Sequence, residues 1–456
     1  MCEYMVSASS TDVSRSSQES PGSSIRGLLV TSSLWTILGY GFAQSIRLGN
    51  NLILTRLVSR EVFGLMALVQ AIITGLSFIT DIGIGPSVIQ SKDGDDPRFL
   101  RTAWSIQILR SVLIWIACCL LAWPAAAFYR EPDMIVLVPV AGIATLISGF
   151  VSINLFLMNK QLRLGPQTLM DLGSQILSVI VMIGLAYATH SVWALLIGTI
   201  VGAVARATMS HWVLPGPSVS FGIDRDIASK MFRFSRWITI STIITFILSQ
   251  GDRLVLGRYM VEKADLGVYA TGYLIPQTAT MLVGTLANRV LFPLYSRLVA
   301  HGDGTFHTRV RSISCAVCAT TLPVLWILML FAQHVIDFLY PAAYHDAGWI
   351  LRVFTITATV DTITSSVGPV LLAYGNSLAV LKINIGRVIG LVVLCITCGL
   401  YGGVPSLIVA FAAVPLVTYP VIAWFAWQTG IWFPLLDLGA IGLSVIVLAL
   451  GWHCGL

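Results

Sequence analysis

The sequence predicts an all-α polytopic membrane protein. It is built as two six-helix bundles in a parallel pseudo-two-fold repeat, with about one extra C-terminal helix. Three observations predict this. Hydrophobic residues make up 56% of the chain and charged residues only 11%, against about 25% charged in a soluble domain. Apolar runs of membrane-spanning length recur from Leu28 to the C-terminus. A segment also repeats: Gly49-Asn50-Asn51-Leu52-Ile53-Leu54-Thr55-Arg56 aligns with Gly251-Asp252-Arg253-Leu254-Val255-Leu256-Gly257-Arg258, and Phe63-Gly64 then matches Leu266-Gly267. Six spans separate the two copies, so both halves insert the same way up, around an axis along the membrane normal.

The Ser-rich residues 1–25 lack the basic-then-apolar layout of a cleaved signal peptide and are expected to form a disordered tail. The first bundle occupies 26–214. Its first helix, near Leu28 to Leu57, sets Tyr40, Gln44, Arg47 and Asn51 on one face. Arg47 lies about 15 Å from the helix end, too deep for easy snorkelling. The second helix, Val62 to Ile89, repeats the pattern with Gln70, Thr74, Ser77 and Asp81, and Pro86 is expected to bend its far end. Spans follow over Arg101 to Trp123 and Met134 to Met158. The fifth carries Asp171, Gln175 and Ser178 on one face, and the sixth, Val192 to Leu214, carries Arg206.

Pro215-Gly216-Pro217 breaks the pattern and opens a linker over 215–236. Ile223, Ile227 and Met231 alternate there with Arg225, Lys230, Arg233 and Arg236, as in a short amphipathic helix on an anionic leaflet. The second bundle spans 237–430. Its first helix carries Thr242, Thr245, Ser249 and Asp252. The next, Leu266 to Leu298, holds Arg289, with bends expected at Pro276 and Pro293. A span over Val310 to Phe331 precedes one rich in hydroxyls, Trp349 to Tyr374, which includes Asp361. Lys382 and Arg387 sit near the mouth of the following helix, and Val404 to Trp427 completes the bundle. Residues 431–456 hold a final apolar run, Leu438 to Trp452.

Loop charge sets the orientation. With the N-terminus cytoplasmic, the inner loops hold most Lys and Arg, among them Arg98, Arg101, Lys160, Arg163, Arg225, Lys230, Arg233 and Arg236. The outer loops hold Arg56, Arg60, Arg130, Arg258 and Lys263. The net charge of +6 belongs to these loops; no soluble basic domain exists to bind nucleic acid. Cys315/Cys318 and Cys395/Cys398 have CxxC spacing, but in apolar helices without His or acidic neighbours, which suits packing better than redox or metal chemistry.

Several stretches resemble the bacterial polysaccharide flippases, the oligosaccharide-lipid branch of the superfamily that also contains multidrug exporters and the lipid II flippase. They are Leu57 to Gln90 (LVSREVFGLMALVQAIITGLSFITDIGIGPSVIQ), Val192 to Ala207, Gly251 to Tyr273, Arg289 to Leu298 (RVLFPLYSRL) and Trp349 to Ile356. The resemblance implies a V-shaped pair of bundles around a central cavity that works by alternating access in the bacterial inner membrane. It implies an undecaprenyl-diphosphate-linked oligosaccharide as the substrate, with polysaccharide polymerase and export machinery as partners and no cofactor. It also implies that arginines on the first helices of each half hold the diphosphate, here Arg47 and Arg253, with Arg289 on the next helix. Many relatives carry one helix more than this chain, which bears on the role of residues 438–456.

The chemistry of the side chains agrees with such a cargo. Arg presents a planar fork of donors that stays charged, suited to phosphate. Lys382 offers a point charge near the cytoplasmic entry. Gln44, Asn51 and the Thr stripes either meet sugar hydroxyls or bond neighbouring helices. Asp81, Asp171, Asp252 and Asp361 either neutralise Arg, with Asp252 expected to face a basic residue, or carry a coupling ion. Two rivals stand beside the flippase. A lipid-linked glycan polymerase or transferase would show a large extramembrane loop or an acidic metal-binding pair. The sequence offers only Asp224-Arg225-Asp226 on the linker. A cation-coupled drug exporter of the same fold would have an acidic, aromatic cavity rather than an Arg-bearing one.

Overall fold

The computed structural model describes residues 21–91, 93–161, 164–217, 219–260, 262–301 and 306–453. The side chain of Arg289 and most of the tail expected over 1–25 lie outside the described residues. The first half consists of α1 (Pro21–Leu57), α2 (Arg60–Ile79), α3 (Ile84–Gln90), α4 (Pro97–Tyr129), α5 (Met134–Ser148), α6 (Asn154–Lys160), α7 (Leu164–Thr189) and α8 (Val192–Val213). The second half consists of α9 (Arg225–Tyr259), α10 (Lys263–Leu286), α11 (Phe292–His301), α12 (Phe306–Leu330), α13 (Ala332–Leu339), α14 (Ala347–Ile363), α15 (Val367–Ala373), α16 (Ser377–Tyr401) and α17 (Gly403–Gln428). Helix α18 (Pro434–His453) follows. Among the described residues nine helices are long and apolar enough to cross a membrane.

Several boundaries differ from those read off the sequence. Helix α1 is described from Pro21, so the helix already includes the last residues of the tail expected over 1–25. The basic linker is not a separate helix on the leaflet. From Arg225 it is the first part of α9, whose 35 residues span about 52 Å at 1.5 Å per residue. Its apolar stripe is already used: Met231 is buried in a core with Ile84, Val88, Phe99, Leu100 and Ala103, and Ile227 packs on it. The Asp224 carboxylate accepts from the backbone N–H groups of Asp226 and Ile227. The Asp-Arg-Asp triplet thus serves as a helix cap.

The two halves share one irregularity. In each, the second and fourth spans are interrupted and the others run through. In the first half α2 gives way to α3, and α5 to α6. In the second half α10 passes through a π-turn, Ala287–Leu291, into α11, and α14 gives way to α15. The first break falls at Gly83, left-handed at φ 59°, and not at Pro86, because only glycine takes that conformation without cost. The Asp81 carboxylate fixes it by accepting from the Gly83 N–H at 3.0 Å. The π-turn precedes Pro293, which brings no N–H to the next turn; Pro276 stays inside a continuous α10.

Backbone freed at bilayer depth must find partners inside the protein. Helix α4 supplies them in the first half. Gln107 Nε2 donates to the carbonyls of Gly149 and Val151, both at 2.9 Å. One turn on, Arg110 Nη2 donates to the Ser77 carbonyl at 2.6 Å and Nε to the Thr80 hydroxyl at 3.3 Å. In the second half hydroxyls meet at the fourth-span break: Ser314 donates to Ser366 at 2.8 Å, beside Tyr295 at 3.2 Å.

The lobes meet where α2 crosses α10. A Cβ on Gly64 would lie 1.8 Å from the Lys263 carbonyl oxygen, and one on Gly267 would lie 2.1 Å from that of Arg60. The sequence repeat had aligned these same two glycines. Around them Leu65, Leu68 and Val69 bury against Leu256, Leu266 and Tyr269. Polar ties ring this face. Arg56 and Arg60 donate to the carbonyls of Leu339 and Ala343 at 3.1 and 3.3 Å, and Lys263 lies 3.9 Å from Glu131. The final apolar run forms α18, which packs on α12 through Trp326, whose indole N–H donates to Ser444 at 2.8 Å. The described cysteines are free, with Cys118 and Cys318 buried in packed cores.

Gly64→Ala should destabilise the protein by about 1–3 kcal/mol through overpacking. Gly41 and Gly284 face open space, and Gly41→Ala should leave the melting temperature in detergent unchanged. Equal Tm values for the two variants would contradict the backbone contact.

Candidate functional site

The first lobe holds two adjoining open cavities, of about 660 and 470 Å³, which share Thr145, Ser148 and Arg206 in their walls. The larger is lined by Arg47 from α1, Gln70 from α2, Asp171, Gln175 and Ser178 from α7, and Arg206 from α8. The smaller lies against the broken ends of α2 and α5 and takes in Ser77, Asp81, Gln107 and Arg110. Helix periodicity brings these groups together. The polar stripes of the second and fifth spans face inward and become the cavity wall.

Arg206 Nε donates to Asp171 Oδ1 at 2.9 Å, and the pair stays open to the cavity, with side chains 41% and 39% exposed. Gln175 donates through Nε2 to the Ala43 carbonyl at 2.9 Å, and Gln70 through Nε2 to Thr74 at 3.3 Å. Their amide oxygens have no further partner among the described residues. Arg47 is exposed to the cavity and makes no described hydrogen bond or ion pair.

The second lobe holds a smaller cavity of about 300 Å³, lined by Asp361, Arg387, Asn288, Asn384 and Thr364. Arg387 Nη2 donates to Asp361 at 3.1 Å, and this pair is more enclosed, 25% and 19% exposed. Asp252 is buried, and its partner is the Tyr269 hydroxyl on α10, in place of the basic residue expected there. Arg253 lies apart from the first-lobe cavity. It donates to Gln250 at 2.9 Å and stands 5.9 Å from the centre of the Tyr273 ring.

Other sequence candidates take different positions. Gln44 is buried between α1 and α10, donating to Tyr40 at 3.4 Å and standing 3.9 Å from the Met281 sulfur. Asn51 accepts from the Tyr340 hydroxyl at 3.0 Å and so ties the lobes together. Lys382 is exposed on the early turns of α16 and is not among the second-lobe cavity residues. Sequence reasoning noted Arg206 and Arg387 but assigned them no role, and it passed over Gln107 and Arg110. The signal was present: each is an amide or charge within an apolar run, the feature that singled out Arg47.

This arrangement defines a polytopic helical membrane protein with internal polar cavities. Known structures share the fold. The lipid II flippase MurJ in an inward closed conformation superposes with a TM-score of 0.72 over 92% of this chain and 91% of that one, at 14% identity. An inward-facing multidrug MATE transporter superposes with 0.66 over 84% and 94%, at 12% identity. The polysaccharide biosynthesis protein family matches residues 53–348, and the chain belongs to that family. It is similar to the lipopolysaccharide biosynthesis protein WzxC of Escherichia coli (strain K12), 19% identical over 86% of this chain and 80% of that protein. It is also similar to the succinoglycan biosynthesis transport protein ExoT of Rhizobium meliloti (strain 1021), 21% identical over 75% and 68%. The teichuronic acid biosynthesis protein TuaB of Bacillus subtilis (strain 168) is 21% identical over 66% of this chain and 62% of its own length.

Gln107→Leu keeps the side chain's bulk but removes both donors to the α5–α6 break. Two carbonyls then lose their partners, and stability should fall by about 1–3 kcal/mol. Gln107→Glu, which cannot donate when ionised, should melt no higher. A wild-type Tm in either variant would remove Gln107 from this role.

Proposed function

We propose that the protein moves a polyprenyl-diphosphate-linked oligosaccharide between the leaflets of the bacterial inner membrane by alternating access, for surface polysaccharide synthesis. The observation that carries this reading is the Arg-bearing polar cavity inside an apolar lobe, with Arg47 unpaired among the described residues. A charge at bilayer depth costs roughly 2.5–3.5 kcal/mol on insertion scales and marks a pathway. An unpaired guanidinium there suits an anionic headgroup and opposes an organic cation as cargo.

The family membership and the transport and biosynthesis proteins it resembles support the substrate class. They also favour a transporter over a glycan polymerase or transferase. Lysine and arginine bias supports a cytoplasmic N-terminus and linker, an orientation in which the face closed at Gly64 and Gly267 is periplasmic. The substrate then enters from the cytoplasmic leaflet. Its negative charge leaves an inside-negative compartment, which favours export by about 2.3 kcal/mol per charge per 100 mV.

The test is headgroup accessibility in proteoliposomes loaded with undecaprenyl-diphosphate-linked sugar. Arg47→Ala should lower the flipping rate at least tenfold, and Arg47→Lys should recover part of it. Unchanged flipping in Arg47→Ala would take Arg47 out of the pathway, and no flipping by the wild type would overturn the reading. In the same vesicles, collapsing the potential at fixed pH should slow transfer; an unchanged rate would exclude the field as the driving force.

A further inference from the structure

The first-lobe cavity is not chemically uniform. Arg47 offers only donors and a net positive charge. The wall formed by α2, α7 and α8 differs. Asp171 holds Arg206 through Nε, which leaves the two terminal guanidinium nitrogens without a described partner. In the same wall the amide oxygens of Gln70 and Gln175 have no partner among the described residues, while each amide nitrogen donates once, to Thr74 and to the Ala43 carbonyl. That wall therefore presents donors and acceptors side by side, with its charges cancelled. A diphosphate, which only accepts and is negative, would meet Asp171 and two carbonyl oxygens there. A sugar hydroxyl both donates and accepts, and vicinal hydroxyls match a guanidinium flanked by a carboxylate and amide oxygens.

The counterpart among the described residues of the second lobe is smaller and more closed. Its Asp361–Arg387 pair is half as exposed, and its cavity of about 300 Å³ is less than half the volume of the larger first-lobe cavity. The larger cavity falls well inside the range of about 300–1,000 Å³ in which small ligands bind.

We infer that this wall is a sugar subsite. It receives the sugar attached directly to the lipid diphosphate, with Asp171, Arg206, Gln70 and Gln175 reading its hydroxyls while Arg47 meets the phosphate. The inference rests on the lipid-diphosphate reading above and adds where, and in which lobe, the glycan is recognised. It makes the first lobe the specificity-determining half of the protein.

The experiment measures affinity of the full-length protein in nanodiscs for two probes, undecaprenyl diphosphate alone and the same lipid carrying one hexose, glucose and galactose in parallel. The wild type should bind at least one hexose-bearing lipid tenfold or more tighter than the bare one. Asp171→Asn and Gln175→Ala should each erase most of that preference while the bare lipid still binds. Bare-lipid binding doubles as a check on folding. A variant that binds neither probe is replaced by Gln70→Ala, whose side chain bonds only one turn along its own helix. Arg47→Ala should weaken both probes together. A wild type without a hexose preference, or a preference that survives all three substitutions, overturns the sugar subsite and leaves the flippase reading intact. A wild type that binds neither probe overturns both.

Discussion

The bilayer offers no water to an interrupted helix, and this governs the rest of the structure. Each half breaks its second and fourth spans, and each break frees carbonyl and N–H groups that would cost several kcal/mol apiece if left in hydrocarbon. In the first half, α4 stands behind both breaks. Gln107 holds the end of α5 and Arg110 the end of α2. Because these side chains are fixed by backbone they must satisfy, the cavity they line has a fixed shape. Polar groups placed for structural reasons thus also define a pre-organised surface for a ligand.

The same constraint favours pairing of charges. Asp171 with Arg206, and Asp361 with Arg387, each offset a charge that is costly at depth, whereas Arg47 has no ion-pair partner among the described residues. An ion pair in a low-dielectric site is weak evidence of stability, since desolvation offsets much of the attraction. Its value here lies in what it leaves over. A guanidinium held at Nε keeps its outer donors, and it keeps them aimed. The two lobes use this differently, one pair opening onto a roomy cavity and the other closed into a small one, so the sequence repeat does not extend to the chemistry.

Helix content, the repeat and the inward polar stripes were legible because each leaves a periodic trace. Gln70 and Ser77 on one helix and Asp81 just past its end, with Asp171, Gln175 and Ser178 on another, line the cavities their spacing implied. Only the π-turn before Pro293 fell near a bend expected from the sequence; the other breaks were not legible at their true places. Proline drew attention to Pro86 and Pro276, while Gly83, Asp81 and a run of hydroxyls decided the matter through tertiary hydrogen bonds. The partners of Asp252 and Asn51 were hidden for a related reason. Each bonds a tyrosine elsewhere in the chain, Tyr269 on α10 or Tyr340 just past α13, and no local pattern announces which hydroxyl will arrive. The linker misled in another way. Its amphipathic face was real, but protein and lipid both accept such a face, and here α3 and α4 cover it.

The seam between the lobes sets the energy scale of any transport cycle. At Gly64 and Gly267 the crossing helices touch backbone to backbone, with no side chains interlocked at the contact. The helices can therefore part there without threading side chains past one another. Parting them would still expose Leu68, Leu256 and Leu266, each worth about 1.5–3 kcal/mol on burial, and would break ties at Arg56, Arg60 and Tyr340 worth about 0.5–1.5 kcal/mol each. The sum is several kcal/mol, too much for thermal opening to be frequent. A ligand can shift such an equilibrium only by its differential affinity for the two states. In the proposed cycle, a membrane potential acting on a doubly charged headgroup would add about 2.3 kcal/mol per charge per 100 mV to that differential affinity. A seam of this size holds the closed face shut until such a contribution is supplied.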